Sequence, residues 1–155
     1  MTADALPFFL LAAIPVTAAD LRDRRIPNAA VVLGLALAFW WAWQRGDAQL
    51  WDSLLGGALA VALFWCVWHF SRGRMGMGDV KFASVVGAFC GAAGFFAAVF
   101  VAAVLGLVLA LSLIAMDRAN ARVKVPFAPF LSAGGTAALL AQLVHWPAFL
   151  FGGTV

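Results

Sequence analysis

Between Lys81 and Asp117 the chain carries no charged side chain. A bilayer-spanning helix needs about 20 apolar residues, so the apolar stretch from Val80 to Met116 is too long for one comfortable crossing and tight for two. Other apolar runs extend from Leu6 to Ala19, Ala29 to Trp43, Ser53 to Phe70 and Phe130 to Gly152. Hydrophobic residues make up 65% of the chain and charged residues 11%, against about 25% charged in an ordinary soluble domain. Hydrocarbon offers the backbone no hydrogen-bond partners, so such runs must be helical. The expected fold is an all-α integral membrane protein. Its 155 residues leave no room for a separate soluble domain, and residues 1–155 read as one membrane-embedded unit.

Charge placement sets the expected topology. Apart from Arg45, the ten Lys and Arg residues fall in three groups: Arg22, Arg24 and Arg25; Arg72, Arg74 and Lys81; Arg118, Arg122 and Lys124. Positive segments stay on the cytoplasmic side, so all three groups belong to one face. An even number of crossings must separate them. The segment Val80 to Met116 is therefore predicted to cross twice, as Val80–Ala93 and Phe95–Met116, turning near Gly91 and Gly94. Six transmembrane helices result, with both termini outside. Asp4, Asp47 and Asp52 then lie on the outer side with Arg45, and Trp40, Trp41, Trp43, Trp51 and Trp146 form an aromatic belt there. The first apolar run lacks a basic segment before it, so it reads as a retained helix rather than a cleaved signal.

Several function classes lose support at this stage. The net charge of +3 is accounted for by orientation and by anionic headgroups, so membrane lipid is an expected neighbour and nucleic acid is not. Cys66 and Cys90 stand apart inside apolar runs and form no metal-ligand or disulfide pattern; both read as small core residues. His69 and His145 have no ligand spacing, so no metal or other cofactor is expected. Serine-elbow and zinc-hydrolase motifs are absent from the sequence.

The carboxylates are what remain. Asp20 ends the first run, Asp23 follows it, Asp79 opens the fourth and Asp117 closes the fifth. Ionisable groups at a bilayer boundary are costly and are functional candidates. Each also has a structural reading: Asp79 as the N-cap of a helix, the others as solvated residues beside arginines.

Local sequence links two of them. "DLRDRRIPN" sets Asp20 seven residues before Pro27, and "GMGDVKF" sets Asp79 behind Gly76 and Gly78. Together they resemble the motifs of the prepilin peptidases, membrane GxGD aspartic proteases. The first motif is matched by Asp20, Ile26, Pro27 and Asn28; the second by Gly76, Gly78, Asp79 and Lys81. "VPFAPFLSAG", Val125 to Gly134, is a weaker third likeness. The resemblance implies that Asp20 and Asp79 are catalytic and that Gly76, Gly78, Lys81, Pro27 and Asn28 shape the site or bind substrate. It implies a prepilin or pseudopilin substrate, cut at the cytoplasmic face of a prokaryotic inner membrane. The compact length most resembles the peptidases of Tad or Flp pilus systems. Longer family members carry a cysteine-rich region that this sequence lacks, so methyltransferase activity is not expected.

The chemistry is consistent with that implication. An aspartic dyad needs one carboxylate to draw a proton from water while the other, protonated, polarises the scissile carbonyl. Asp79 at a helix N-terminus would be the resting base and Asp20 near a helix C-terminus the resting acid. Asp23, within a turn of Asp20, is the rival for the first role. Gly76 and Gly78 lack Cβ atoms, so the chain there can take up positive φ and let a substrate backbone come close to Asp79. The small residues Ala83, Gly87 and Gly91, following Asp79 at intervals of four, are expected to meet the first helix and draw Asp20 towards Asp79. Two other classes remain: a small proton-coupled transporter or channel using paired aspartates, and a structural subunit of a secretion assembly. The charge-free centre of every apolar run disfavours a mid-membrane proton relay.

Overall fold

The computed structural model describes residues 4–23, 26–71, 75–116 and 127–143. Among them are five α-helices and no strand: α1 (Ala5–Asp23), α2 (Asn28–Trp43), α3 (Asp47–Phe70), α4 (Met77–Ala115) and α5 (Ala128–Leu143). α1, α3 and α4 are long and apolar enough to cross a membrane, while α2 and α5, of 16 residues each, are shorter apolar helices. Pro15 lies within α1, an interruption that membrane helices tolerate because neighbours satisfy the freed carbonyl.

α4 is not one rod. Gly91 has φ 71° and ψ 178°, a region of backbone space open essentially to glycine alone. Arms 77–90 and 92–115 leave it in opposite directions, and α5 records the reversal. Gln142 Nε2 donates to the Cys90 carbonyl at 2.9 Å and also packs against Gly94. Two turns earlier in α5, Gly135 meets Val86 of the first arm and Gly134 meets Ala98 and Ala102 of the second. In a straight helix, Val86 and Ala98 would be about 18 Å apart. They lie at the same level only because the chain folds back. The turn is fixed from α3, where Asp52 Oδ1 accepts the Ala92 N–H at 3.1 Å.

The first arm of α4 is the centre of the bundle. Residues 82–91 are continuously buried, as expected of a helix that is apolar on every side. α3 lies against it through glycine: a Cβ on Gly87 would fall 2.8 Å from the Cβ of Ala60 and closer still to the Gly56 carbonyl. Ser53 Oγ donates to the Ala88 carbonyl at 2.7 Å on the same seam. The small-residue stripe therefore packs on α3, not on α1 as expected. α1 approaches the central arm by a different route, with Phe9 edge-on to Phe89 at 5.6 Å between ring centroids. α2 enters through Gly34, against Val85 and Ala12.

The polar groups divide between the two ends. One end holds the Asp4–Arg45 ion pair, Asp52 and the reversal at Gly91; the other holds Asp20, Asp79, Lys81 and the start of α5. Trp40, Trp43 and Trp51 are exposed at the first end, but Trp41 is 4% exposed and carries the Arg45 guanidinium over its ring. Trp41 thus belongs to the core rather than the belt; Trp146 lies outside the described residues. Cys90 is buried, whereas Cys66 is exposed and not the core residue expected, because it lies on the face of α3 turned from the central arm. His69 stacks on Trp65; His145 lies outside the described residues.

Candidate active site

The lower ends of α1, α2, the first arm of α4 and α5 converge on the two motifs. α1 delivers Asp20 on the face it turns towards α5, and the residue is 7% exposed. Asp23, one turn on, is exposed, so it is Asp20 that enters the interior. Asp20 Oδ2 accepts the Ala128 backbone N–H at 3.3 Å. That N–H is one of the first in α5 and has no partner within its own helix. Three residues earlier on α1, the Thr17 hydroxyl is hydrogen-bonded to that of Ser132 at 2.7 Å.

Asp79 sits in the first turn of α4, but it is not the N-cap. That position is Gly76, with φ −70° and ψ 136°, making Asp79 the third residue of the helix. The Asp79 N–H donates to the Gly76 carbonyl at 3.1 Å, and the Gly76 N–H donates back to the Asp79 carboxylate. The bond to the carboxylate is one half of a capping box, the half made by the third helical residue. The positive φ that glycine permits is not used at Gly76 or Gly78; among the described residues only Gly46 and Gly91 have it. Gly76 takes an ordinary extended conformation and Gly78 is helical, because both belong to a regular helix start. Space is what glycine supplies at 78: a Cβ there would lie 3.1 Å from the Ile26 Cβ.

The two motifs, far apart in sequence, are therefore in contact. Ile26 of the first packs on Gly78 of the second, and Lys81 Nζ donates to Asn28 Oδ1 at 2.8 Å. Pro27 is the N-cap of α2, and its carbonyl accepts the N–H groups of Ala30 and Val31. Asp20 and Asp79 are close enough to interact electrostatically. Of the third stretch, Val125 and Pro126 lie outside the described residues, as does Asp117. Ala128 and Ser132 from the same stretch touch α1 directly.

This geometry corrects the expected division of labour between the aspartates. The expectation counted only the C-terminal end of α1 near Asp20. The start of α5 lies there too, so each carboxylate faces a helix N-terminus, and the helix dipoles no longer distinguish base from acid. The Ala128 N–H and the Thr17–Ser132 bond are not among the features expected from the sequence. The one available signal was the helix start at Phe127-Ala128-Pro129, within the third likeness, because an opening helix exposes N–H groups. Among the described residues no cluster of His, Cys and Asp side chains could hold a metal ion.

Residues 6–111 match the model of the type IV leader peptidase family. A prepilin leader peptidase/N-methyltransferase of Burkholderia pseudomallei is 30% identical over 139 residues, covering 83% of this chain and 43% of that protein. The corresponding protein of Xanthomonas campestris pv. campestris is 28% identical over 133 residues, covering 79% of this chain and 44% of its own. That of Stutzerimonas stutzeri is 26% identical over 127 residues, covering 78% and 44%. The chain thus spans less than half the length of the curated relatives it matches. No solved structure matches it. Matched by the family model over most of its length, with two separated aspartate motifs joined at one end of a helical bundle, this chain belongs to the type IV leader peptidase family.

Proposed function

We propose that this chain is a membrane aspartic endopeptidase that removes the leader peptide from type IV prepilins or pseudopilins, with Asp20 and Asp79 as its catalytic dyad. The observation that carries this reading is the junction of the two motifs, at which Ile26 packs on Gly78, Lys81 bonds to Asn28 and the two carboxylates interact. Family membership and the named activity of the relatives support the substrate class. Like charges at short range disfavour double ionisation, so the pair holds one proton between them and titrates as a unit. The ionised member accepts a proton from water as the water attacks the scissile carbonyl. The protonated member donates a hydrogen bond to the carbonyl oxygen, and that proton reaches the leaving amine on collapse. The Gly76 N–H bonds to the Asp79 carboxylate and the Ala128 N–H to that of Asp20, so each member of the dyad is oriented by a backbone donor. No methyl transfer is assigned to these residues.

The proposal includes six crossings, the two arms of α4 serving as separate spans, with both termini outside and the dyad at the cytoplasmic face of a prokaryotic inner membrane. A short-form peptidase of the Tad or Flp type fits this arrangement. The test is cleavage of a type IV prepilin in membranes containing wild type, Asp20→Asn or Asp79→Asn, with insertion measured separately. Both substitutions keep size and hydrogen bonding while removing the charge. Cleavage is expected from wild type alone; processing by either inserted variant excludes the dyad.

A further inference from the structure

The Ala128 N–H reaches Asp20 only while α1 and α5 keep their register, and one polar contact lies directly behind it. Thr17 precedes Asp20 by three residues on α1, and Ser132 follows Ala128 by four on α5, so both pairs lie on the same helical faces. Their hydroxyls meet at 2.7 Å. Thr17 and Ser132 are both half-buried. The neighbouring seam residues, Val16, Leu131 and Gly135, are buried and nonpolar, and apolar contacts tolerate sliding in a way that a hydrogen bond does not.

We propose that Thr17 and Ser132 are positioning residues: their hydroxyl pair locks α1 against α5 in the register that delivers the Ala128 N–H to Asp20. This rests on the assignment of Asp20 to the dyad. Thr17 lies in none of the three likenesses and Ser132 only in the weaker third, and neither touches the reacting groups. Their effect is on geometry: slippage of α5 along α1 withdraws a donor from Asp20 and lets the carboxylate turn away from Asp79. A displacement of about 1 Å in a reacting group can lower a rate by roughly a hundredfold.

The experiment compares wild type with Thr17→Val, Ser132→Ala, the double variant and Thr17→Ser, each co-reconstituted with a type IV prepilin in liposomes. Thr17→Val keeps side-chain shape and removes the hydroxyl, whereas Thr17→Ser keeps the hydroxyl. Thr17→Val and Ser132→Ala are each expected to lower kcat about ten- to a hundredfold with KM within about twofold of wild type. The double variant should be no worse than the poorer single one, because both substitutions remove the same bond. Thr17→Ser should retain wild-type kcat. Wild-type kcat in either hydroxyl-less variant overturns the proposal. So does an additive double variant, or a Thr17→Ser loss as large as that of Thr17→Val. Thermal stability in detergent separates a packing role, which would lower melting temperature and leave kcat of the folded fraction unchanged, and that result also refutes it. Absence of cleavage by wild type would instead count against the peptidase reading itself.

Discussion

Replacing Gly91 with alanine tests whether the reversal in α4 depends on glycine. At φ 71° and ψ 178° an L-residue carries strain of about 1–3 kcal/mol. The added methyl group would also approach the Asp52 Cγ to 2.7 Å, against an optimum of about 3.5–4.0 Å between nonbonded carbons. Asp52 must then move, and its bond to the Ala92 N–H, 3.1 Å long, breaks. Loss of a capping acceptor costs about 1 kcal/mol. Together the terms predict a destabilisation of about 2–4 kcal/mol, read by reversible unfolding in mixed detergent and SDS micelles. Asp52→Ala alone should cost about 1 kcal/mol. Because the cap is already lost in Gly91→Ala, the double variant should be no less stable than Gly91→Ala itself, a coupling between contacting residues. A Gly91→Ala protein within about 0.5 kcal/mol of wild type would refute the strain argument, the range expected of an inconsequential substitution. Full additivity would refute the clash with Asp52.

Three further outcomes follow from close contacts. Gly87→Leu forces α3 from the central arm, since even a methyl group there meets the Gly56 carbonyl and Ala60; a loss of at least 1–3 kcal/mol, roughly the cost of overpacking, and of prepilin cleavage is expected, and unchanged processing by an inserted variant counts against it. Gly78→Val should impair cleavage by displacing Ile26, whose Cβ lies 3.1 Å from the position a Cβ would take, and adding Ile26→Ala should recover part of the activity; a double variant worse than Gly78→Val contradicts that packing. Lys81→Met removes the bond to Asn28, made at 2.8 Å on the protein surface, and should change stability by less than about 1 kcal/mol while lowering cleavage more than Asn28→Asp, which keeps an acceptor; the opposite order would separate Lys81 from Asn28.

The elements legible in the sequence were those written in local pattern. Apolar length gave the helices, and the charge groups required a reversal within the long uncharged segment, which occurs at Gly91. Which helix faces which was not legible. The small residues Ala83, Gly87 and Gly91 announce close packing, but a glycine stripe contains nothing that names its partner, and α3 answers with Gly56, Gly57 and Ala60. The same limit applied at the site. Motif spacing singled out Asp20 and Asp79, whereas the donors that hold them are backbone N–H groups, which every residue but proline possesses; a helix start such as Phe127-Ala128-Pro129 marks where such donors are exposed but not which carboxylate they meet. The glycines at 76 and 78 show a related limit: glycine permits several uses, and here Gly78 serves to admit Ile26 rather than to bend the chain.

The arrangement of backbone donors bears on how two carboxylates can be brought together at all. Mutual repulsion and the cost of burial both act against such a pair, and a side chain on a long helix could escape by rotating about χ1. Asp79 is held by its own helix, through the Gly76 N–H, so it moves with the buried central arm. Asp20 is held by a different helix, through Ala128 of α5, which itself packs on that arm through Gly135 and Val86. Both aspartates are thereby referred to the same rigid body, one directly and one through α5. The contact of Ile26 with Gly78 and the bond from Lys81 to Asn28 close the remaining side, between the arm and the segment that follows α1. The Asp20–Ala128 bond ties α1 to α5, the Gly135–Val86 contact ties α5 to the first arm of α4, and the Ile26–Gly78 and Lys81–Asn28 contacts tie the start of α2 to that same arm, so moving apart the helices that carry the two aspartates requires breaking helix packing.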